Sequence, residues 1–242
     1  MRPLPIVKAM VFLAVAALAG LLLYGYARNH PEDMPWTALD LTQPVGAFTG
    51  RKLTALRDDP DQCRALIEQA GVTVTALPPR SGEGQCGYVD GVRLASEGPL
   101  TIDYQPAGLG TSCPVAAAMA LWEWHVVQPA AIAHFGRQVA SIDHFGSYSC
   151  RRMYGRSEGS WSEHSTANAI DIAGFRLEGG RRISVINGWN GDADEAAFLR
   201  EVRDGACRLY ATVLSPDYNA AHRDHFHFDH AQRGAMGWRG CR

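Results

Sequence analysis

The sequence lacks several patterns that would assign it quickly to a class of protein. It has six cysteines, but no two of them have Cys-x-x-Cys spacing, which argues against a thiolate zinc site and a dithiol redox motif. It has no cluster of lysine and arginine large enough to form a basic face, and its net charge is -2, so nothing indicates a nucleic-acid partner. Internal repeats and low-complexity tracts are also missing. The 242 residues are 46% hydrophobic and 20% charged, which predicts one sizeable domain with a real core, or one domain plus an appendage.

One long apolar run lies near the N-terminus. Residues Ala9 to Tyr24 are apolar throughout, and Arg2 and Lys8 precede them. This position and these flanks are typical of a secretory signal or an N-terminal anchor, and a buried core helix is the less favoured alternative. The run continues through Leu21-Leu22-Leu23, beyond the small-residue cleavage pattern Ala17-Leu18-Ala19. We therefore expect an uncleaved anchor in the inner membrane with its positive end inside and the rest of the chain in the periplasm, or a secreted chain if cleavage occurs.

Composition predicts three segments. Residues 1–26 are the signal anchor, residues 27–58 are a linker rich in Pro, Asp and Thr, and residues 59–242 are the folded domain. An even number of cysteines in an exported chain predicts disulfides, and six cysteines allow fifteen pairings. We predict the pairs Cys63–Cys86, Cys113–Cys150 and Cys207–Cys241, because the first and last of these would tie down the terminal segments.

Hydrophobic periodicity predicts the elements of the domain. The predicted helices run from Asp59 to Gly71 with Leu66 and Ile67 inward, from Cys113 to Pro129, and from Asp192 to Arg203 with Asp192 or Asp194 as cap and Ala197, Phe198 and Val202 inward. The predicted strands are Val72–Val74, a hairpin over Gly91–Tyr104 that turns at Glu97-Gly98-Pro99, Val139–Ser149, Ala169–Leu177, Arg182–Ile186, Leu209–Leu214, and Asp224–Asp229, which closes the sheet. This order predicts an α+β fold with a mostly antiparallel sheet and flanking helices.

Four of the nine histidines lie within nine residues near the C-terminus, and they are His222, His225, His227 and His230. Crowded imidazoles beside carboxylates are typical of a metal site or an acid–base site. Because alternate residues of a strand share a face, His225 and His227 should point into one cavity while Phe226 and Phe228 point into the core.

A second segment offers the partners that such a site needs. His164 follows Ser162-Glu163, and Asp171 lies on the strand face opposite Ile170 and Ile172. Neutral imidazole and carboxylate are ligands that Zn²⁺ accepts, and three protein ligands with one open position form the catalytic arrangement. The alternative for each residue is structural: a surface or hydrogen-bonded core histidine, and a buried capping aspartate. Asp224 and Asp229 are expected to face solvent or to support the ligands.

These motifs resemble a known group of enzymes. Ser162-x-His164, Ala169-x-Asp171 and His222-x-x-His225-x-His227 resemble the LAS group of zinc metallopeptidases, which includes D-Ala-D-Ala carboxypeptidases and murein endopeptidases. More closely, the chain from Cys86 to its end resembles the extensin-like C-terminal domain of bacterial envelope proteins. The motifs that carry this closer resemblance are Gly146-Ser147-Tyr148-x-Cys150-Arg151, Ser162-Glu163-His164, Asn168-Ala169-Ile170-Asp171-Ile172 and Asn219-Ala220-Ala221-His222-Arg223-Asp224-His225-Phe226-His227.

The resemblance implies a LAS or hedgehog-like metallopeptidase fold and a role for each motif residue. It implies that His164, Asp171 and His227 bind Zn²⁺. It also implies that His225 is the general base and that His222 steadies the substrate or the oxyanion.

The resemblance further implies that Arg151 acts near the substrate carbonyl or carboxylate and that Ser162 contacts substrate, with Arg152 as the competing arginine. Two departures put the substrate in question: Ala167 stands where the LAS pattern often has glycine, and no glutamate base of the D-Ala-D-Ala dipeptidase type is evident. His230 lies outside the motif and is expected at the surface.

Together these features predict a membrane-tethered periplasmic zinc peptidase that acts on peptidoglycan stem peptides or cross-links. An alternative is a non-catalytic module that binds the cell wall and retains a metal site. A third hypothesis is a disulfide-stapled structural domain without a metal.

Overall fold

The computed structural model describes residues 3–95, 98–234 and 238–242. The helices of the described residues are α1 Pro3–Asn29, α2 Thr49–Ala55, α3 Pro60–Gln69, α4 Cys113–Trp122, α5 Gln128–Phe135, α6 Val185–Gly188 and α7 Ala193–Leu209. The strands are β1 Val74–Ala76, β2 Arg80–Ser81, β3 Gly87–Tyr88, β4 Gly91–Leu94, β5 Asp103–Gln105, β6 Gly110–Ser112, β7 Val139–Gly146, β8 Ala169–Leu177, β9 Arg182–Ser184, β10 Thr212–Leu214, β11 Phe226–Asp229 and β12 Gly240–Cys241.

The largest sheet has the strand order β12-β10-β11-β8-β7-β5, and β9 pairs with β8. Its pairings are antiparallel except for β10 with β12 and β5 with β7. A second sheet, β1-β4-β6, is antiparallel, and β2 pairs with β3. The expectation of an α+β fold with a mostly antiparallel sheet is confirmed. The prediction that the last histidine-bearing strand closes the sheet is wrong, because β10 and β12 extend the sheet beyond β11.

Aromatic side chains fill the space between the large sheet and the helices. The Trp122 ring of α4 lies 5.8 Å from the Phe175 ring and 5.2 Å from the Phe228 ring, so one helix contacts two neighbouring strands. The Trp122 indole also donates a 2.8 Å hydrogen bond to the carbonyl of Val202 in α7, which leaves its polar group satisfied. Burial of each such ring contributes about 2–3 kcal/mol to stability.

The helix predicted to end at Pro129 is longer than expected. A π-helical turn, Glu123–Val127, follows α4 and leads directly into α5. Pro129 lies in the first turn of α5, where its missing N–H is not needed for a helical hydrogen bond. The proline therefore begins a helix here instead of ending one.

Helix α7 begins as predicted but extends further, and one of its three predicted inward residues is exposed. The Asp192 side chain caps it by accepting hydrogen bonds from the backbone N–H groups of Asp194 and Glu195. Phe198 and Val202 are buried as predicted, whereas Ala197 is exposed. The helix continues to Leu209, so the following strand β10 is shorter than predicted.

The predicted hairpin over Gly91–Tyr104 is wrong. Its first half, β4, pairs with β1 and β6, while β5 pairs in parallel with β7 of the other sheet. The stretch between them carries Leu100 and Ile102 into the core, so burial draws the two strands into different sheets. The expected turn residue Glu97 lies outside the described residues, as does Arg2.

The structure also departs from the predicted linker over residues 27–58. This segment contains α2, and three of its apolar side chains, Leu41, Leu53 and Leu56, are buried in the core of the domain. The Lys52 ammonium of α2 donates a 2.9 Å hydrogen bond to the Thr37 hydroxyl, which joins α2 to the earlier part of this segment. Composition concealed this packing because the apolar residues are few and widely spaced among Pro, Asp and Thr.

Three disulfides join the six cysteines, and one of the three predicted pairs is confirmed. Cys207–Cys241 is present, whereas the other pairs are Cys63–Cys113 and Cys86–Cys150. The predicted pairs Cys63–Cys86 and Cys113–Cys150 are wrong because α3 packs against α4, which brings Cys63 to the start of α4. The Cys86–Cys150 bond fixes the segment that leads into Arg151.

The N-terminal helix α1 is long and apolar enough over Pro5–Asn29 to cross a membrane. The most apolar stretch of this helix is not buried against the domain. It is an apolar helix that could be a membrane anchor or a signal sequence. The buried core helix considered as an alternative does not fit a helix whose apolar side chains are exposed.

Candidate functional site

Strand pairing brings the two histidine-bearing segments together. His227 of β11 lies directly opposite Asp171 of β8 in the antiparallel ladder. Phe226 and Phe228 are fully buried on the other face of β11, so the period of two places the phenyl rings in the core and His227 in a cavity. His164 reaches the same point from the short helical turn Glu163–Thr166. The predicted meeting of the two segments is confirmed.

Three ligand atoms of these residues converge on one point. The His164 Nε2 atom lies 3.2 Å from His227 Nδ1 and 3.1 Å from Asp171 Oδ2, and His227 Nδ1 lies 3.0 Å from Asp171 Oδ1. A tetrahedral ion with bonds of about 2.0–2.1 Å has ligands about 3.3–3.4 Å from one another. The three residues therefore have the composition and the spacing of a zinc-type ligand set. One ligand atom from each of the three residues lies within 4.8 Å of the other two, so they could hold one metal ion together.

The far nitrogen of each histidine ligand is held by an oxygen acceptor. His164 Nδ1 lies 2.6 Å from the carbonyl oxygen of Ser147, and His227 Nε2 lies 3.0 Å from Asp229 Oδ2. Each far nitrogen donates its proton to that oxygen, so the near nitrogen is the one that offers a lone pair when a cation replaces its proton. This support from behind is typical of histidines that bind metals in proteins. The residues present therefore fit a bound Zn²⁺ ion.

Electrostatics at the site also favour a cation. Burial opposes ionisation of Asp171, but hydrogen bonds from His164 and His227 hold the pKa of its carboxyl well below the usual range. Burial lowers the pKa of His227, but its hydrogen bonds to Asp171 and Asp229 outweigh burial and raise that pKa to about 9. Without a metal, His227 therefore carries a proton between two buried carboxylates. A divalent cation can replace this proton, so metal affinity should rise with pH.

Two more histidines approach the same point without joining the ligand set. His225 Nε2 lies 3.7 Å from Asp171 Oδ1, and His225 Nδ1 donates to Asp224 Oδ1 at 2.8 Å. His222 Nδ1 donates to Asn219 Oδ1 at 2.8 Å. Burial, followed by the charges of His225 and His227, lowers the pKa of His222 to about 4. His222 is therefore neutral at pH 7, with a lone pair on Nε2.

A cavity of about 480 Å³ opens over this cluster. Arg151, half-buried, lines this cavity, and its guanidinium has no hydrogen-bond partner within the described residues. Arg152 is used elsewhere, because its guanidinium stacks 4.4 Å from the Trp161 ring. Ser162 also lines the cavity, and its Oγ accepts a 3.3 Å hydrogen bond from the backbone N–H of His164, so it positions a predicted ligand. The arginine preferred from the sequence is the one that reaches the cavity.

Sequence reasoning left open or missed the groups that orient the histidines. Asp229 is buried, so it does not face solvent, and its carboxylate supports His227. The spacing His227-x-Asp229 places both side chains on one strand face and could have found this pair. The Ser147 carbonyl and the Asn219 side chain carry no comparable signal, because their roles depend on how loops fold.

The expectation that His230 is a surface residue is wrong. Its side chain is fully buried and stacks 5.0 Å from the Tyr210 ring, and its Nδ1 lies 3.0 Å from the Thr54 hydroxyl. Its Nε2 atom has no hydrogen-bond partner in the described part of the chain. Burial lowers the pKa of His230 to about 3, so this residue is neutral in the folded protein.

Replacing His230 with phenylalanine should reduce the sensitivity of the fold to acid. Below its ordinary pKa of 6.5, the unfolded chain binds a proton at His230 that the folded chain does not bind until about pH 3. Stability is therefore lost as pH falls through this window, by up to about 1.4 kcal/mol per pH unit. His230→Phe keeps a ring against Tyr210 and removes this loss. Denaturant unfolding between about pH 6 and pH 4 should show a shallower slope than wild type.

The control is His134→Phe, which removes a histidine of helix α5 that pairs with Glu201 at 2.8 Å. Equal slopes for His230→Phe and wild type would show that the buried imidazole does not resist protonation.

Comparison with known proteins identifies one family. The family model described as "Extensin-like protein C-terminus" matches residues 61–242, about three quarters of the chain. Comparison with curated proteins gave no match, and comparison with solved structures also gave none. The match begins at the second residue of α3 and includes all the side chains that meet in the cavity.

Proposed function

This chain belongs to the extensin-like protein C-terminus family, and we propose that it is a membrane-tethered periplasmic zinc peptidase that hydrolyses amides of peptidoglycan. The observation that carries the proposal is the convergence of His164, Asp171 and His227 within 3.0–3.2 Å, with the far nitrogens of both imidazoles held by oxygen acceptors. A relation to the LAS peptidases is part of this proposal. When bound there, Zn²⁺ supplies a Lewis acid that activates water and polarises a carbonyl.

His225 is proposed to move the proton in this reaction. Its Nδ1 is engaged by Asp224, so its Nε2 has a lone pair that faces the cavity beside Asp171. That nitrogen can take a proton from the attacking water and return it to the leaving amine. The half-buried position of His225 keeps it open to the cavity, since a group that exchanges protons with substrate must be reachable.

Two cavity residues are proposed to hold the substrate. Arg151 offers a planar fork of donors that suits a carboxylate or a developing oxyanion. His222 was expected to steady either the substrate or the oxyanion, and its hydrogen bonding favours the first role. Because His222 is neutral and its Nδ1 donates to Asn219, its Nε2 can accept a hydrogen bond from a substrate N–H but cannot donate one to an oxyanion.

The disulfides and the apolar N-terminal helix support a substrate outside the cytoplasm. Three disulfides are typical of proteins that fold in an oxidising compartment, and the apolar N-terminal helix is of the kind that targets or anchors an exported chain. Peptidoglycan is the polymer proposed because it is rich in amide bonds and lies in that compartment. Its stem peptides also carry the carboxylates that Arg151 would recognise.

The function is tested by incubating the purified protein with purified sacculi in the presence of zinc and identifying released fragments by mass spectrometry. We expect soluble muropeptides or free amino acids that differ from the sacculus by hydrolysis of an amide, and no release after treatment with a chelator. Intact sacculi with a fully zinc-loaded protein would contradict the proposed hydrolysis.

A second candidate is a non-catalytic module that binds the cell wall around a closed metal site. One distance favours considering it: His225 Nε2 lies only 3.7 Å from Asp171 Oδ1, so a small movement could make it a fourth ligand. X-ray absorption of the zinc-loaded protein separates the candidates. Two nitrogens and additional oxygens fit an open site, whereas three nitrogens fit the closed one.

A further inference from the structure

A second cavity, of about 340 Å³, adjoins the metal cavity. The two cavities share the wall formed by Ala231, Gln232 and Arg233, which follows directly after β11. A chain-like ligand bound in the first cavity therefore meets a segment that also borders the second. The proposed chemistry uses only the first cavity.

Arginines dominate the second cavity. Arg51, Arg233 and Arg239 line it, and Asp58 is the acidic residue among its lining residues. Three lining residues are positive and one is negative in a chain whose net charge is -2, and the Arg233 guanidinium also lies 4.0 Å from the Asp229 carboxylate. The Asp58 carboxylate already accepts a 3.1 Å hydrogen bond from the Gln232 amide. The cavity is thus a positively charged patch on a slightly acidic protein, which favours an anionic ligand.

Two of these arginines have no carboxylate partner among the described residues. The Arg239 guanidinium donates to the carbonyl of Tyr210 at 2.7 Å and to that of Cys207 at 3.1 Å, so backbone groups fix its position but do not neutralise its charge. Arg51 is exposed and lies 5.7 Å from the Phe48 ring. Within residues 3–95, 98–234 and 238–242, no carboxylate lies within ion-pair distance of either guanidinium.

The rest of the lining suits a ligand that is only partly charged. Trp238 lines the cavity and is 63% exposed, so it offers a flat apolar face beside the arginines. Arginine forks bind planar carboxylates well, and an adjacent aromatic face can cover an aliphatic or sugar segment of the same ligand.

We propose that the second cavity is a subsite for a carboxylate-bearing residue of the polymer whose amide lies in the metal cavity. This inference rests on the proposed function, because it assigns the substrate a direction from the metal cavity past Arg233 toward Arg51. It also defines the substrate class: an amide-linked chain that carries a free carboxylate beyond the bond that is cleaved.

The test measures equilibrium binding of soluble muropeptides to the full-length protein in detergent after zinc has been removed, so that the ligand is not cleaved. Two ligands are compared: acidic muropeptides, and the same muropeptides with their carboxylates converted to amides. Arg51→Glu should weaken binding of the acidic ligand about tenfold or more and leave the amidated ligand unaffected. Arg51→Lys should restore much of the affinity, because it restores the charge.

Arg176→Glu is the matched control, since Arg176 is an exposed arginine of β8 that lines neither cavity. It makes the same charge change and should bind both ligands as wild type does. Wild-type affinity of Arg51→Glu for the acidic ligand would overturn the subsite, as would equal weakening for both ligands.

The outcomes also separate this inference from the proposed hydrolysis. Arg51-dependent binding together with intact sacculi would leave the subsite standing and reject the peptidase. Cleavage of acidic and amidated muropeptides by Arg51→Glu at wild-type rates would leave the peptidase standing and reject the subsite.

Discussion

His164→Ala is expected to abolish stoichiometric zinc binding. Wild type should purify with, or take up, about one zinc per chain, because three ligand atoms already stand at the spacing that a tetrahedral ion needs. Removal of His164 leaves one imidazole and one carboxylate, which is too few protein ligands for a stable site. Metal analysis after dialysis measures this loss. A second readout is thermal unfolding, since zinc at a thousand times its Kd stabilises wild type by about 4 kcal/mol and should not stabilise the variant.

Two further variants make the expected loss specific. His144→Ala removes another buried imidazole, whose Nε2 lies 2.9 Å from the Pro106 carbonyl oxygen and which is outside the ligand set, and it should keep its zinc. Asp229→Asn keeps all three ligands but weakens the acceptor behind His227, so its zinc affinity should fall roughly 10- to 100-fold. Full zinc occupancy in His164→Ala would reject the ligand assignment.

His225→Ala is expected to keep zinc and lose hydrolysis. Its Nε2 lies 3.7 Å from Asp171 and its ring lies 5.2 Å from the His222 ring, and it is outside the three-residue ligand group. Loss of a general base lowers turnover by about 10²- to 10⁴-fold. The measurement is the rate of muropeptide cleavage at saturating substrate, together with metal content. His134→Ala, on the surface beside Glu201, is the matched control and should retain wild-type turnover.

The combination of rate and metal content separates the two candidate functions. Unchanged turnover in His225→Ala would reject this residue as the base. Loss of zinc in the same variant would instead make His225 a fourth ligand and favour the non-catalytic module.

The centre of the site could be predicted from the sequence because strand periodicity is a local property. Alternation alone placed Phe226 and Phe228 in the core and His227 on the opposite face. The same rule placed Asp171 opposite Ile170. Two correctly assigned strands, once paired, were enough to bring a histidine and an aspartate together.

The predictions that were wrong concern features that depend on contacts between distant segments. Cys63 pairs with Cys113 because two helices pack, and no spacing in the sequence reveals that contact. His230 lies on the same side as the core residues Phe226 and Phe228, where Thr54, far earlier in the chain, offers its side chain a partner. The segment 27–58 appeared featureless because its buried leucines contact helices that follow it in the sequence. Pro129 was taken as a helix end because a π turn leaves no local signature.

Because β11 pairs with β8, the environment of each β11 side chain depends on whether its residue number is odd or even. His227 faces Asp171 while Phe226 and Phe228 contact the core, so odd-numbered and even-numbered positions of one short strand serve two different environments. Deleting one residue from this strand would exchange those positions and place a phenyl ring in the cavity and an imidazole in the apolar interior. Length changes in this strand therefore cannot alter the chemistry gradually. A change of one residue disrupts the core and the site in the same step, because it moves both sets of side chains to the wrong face.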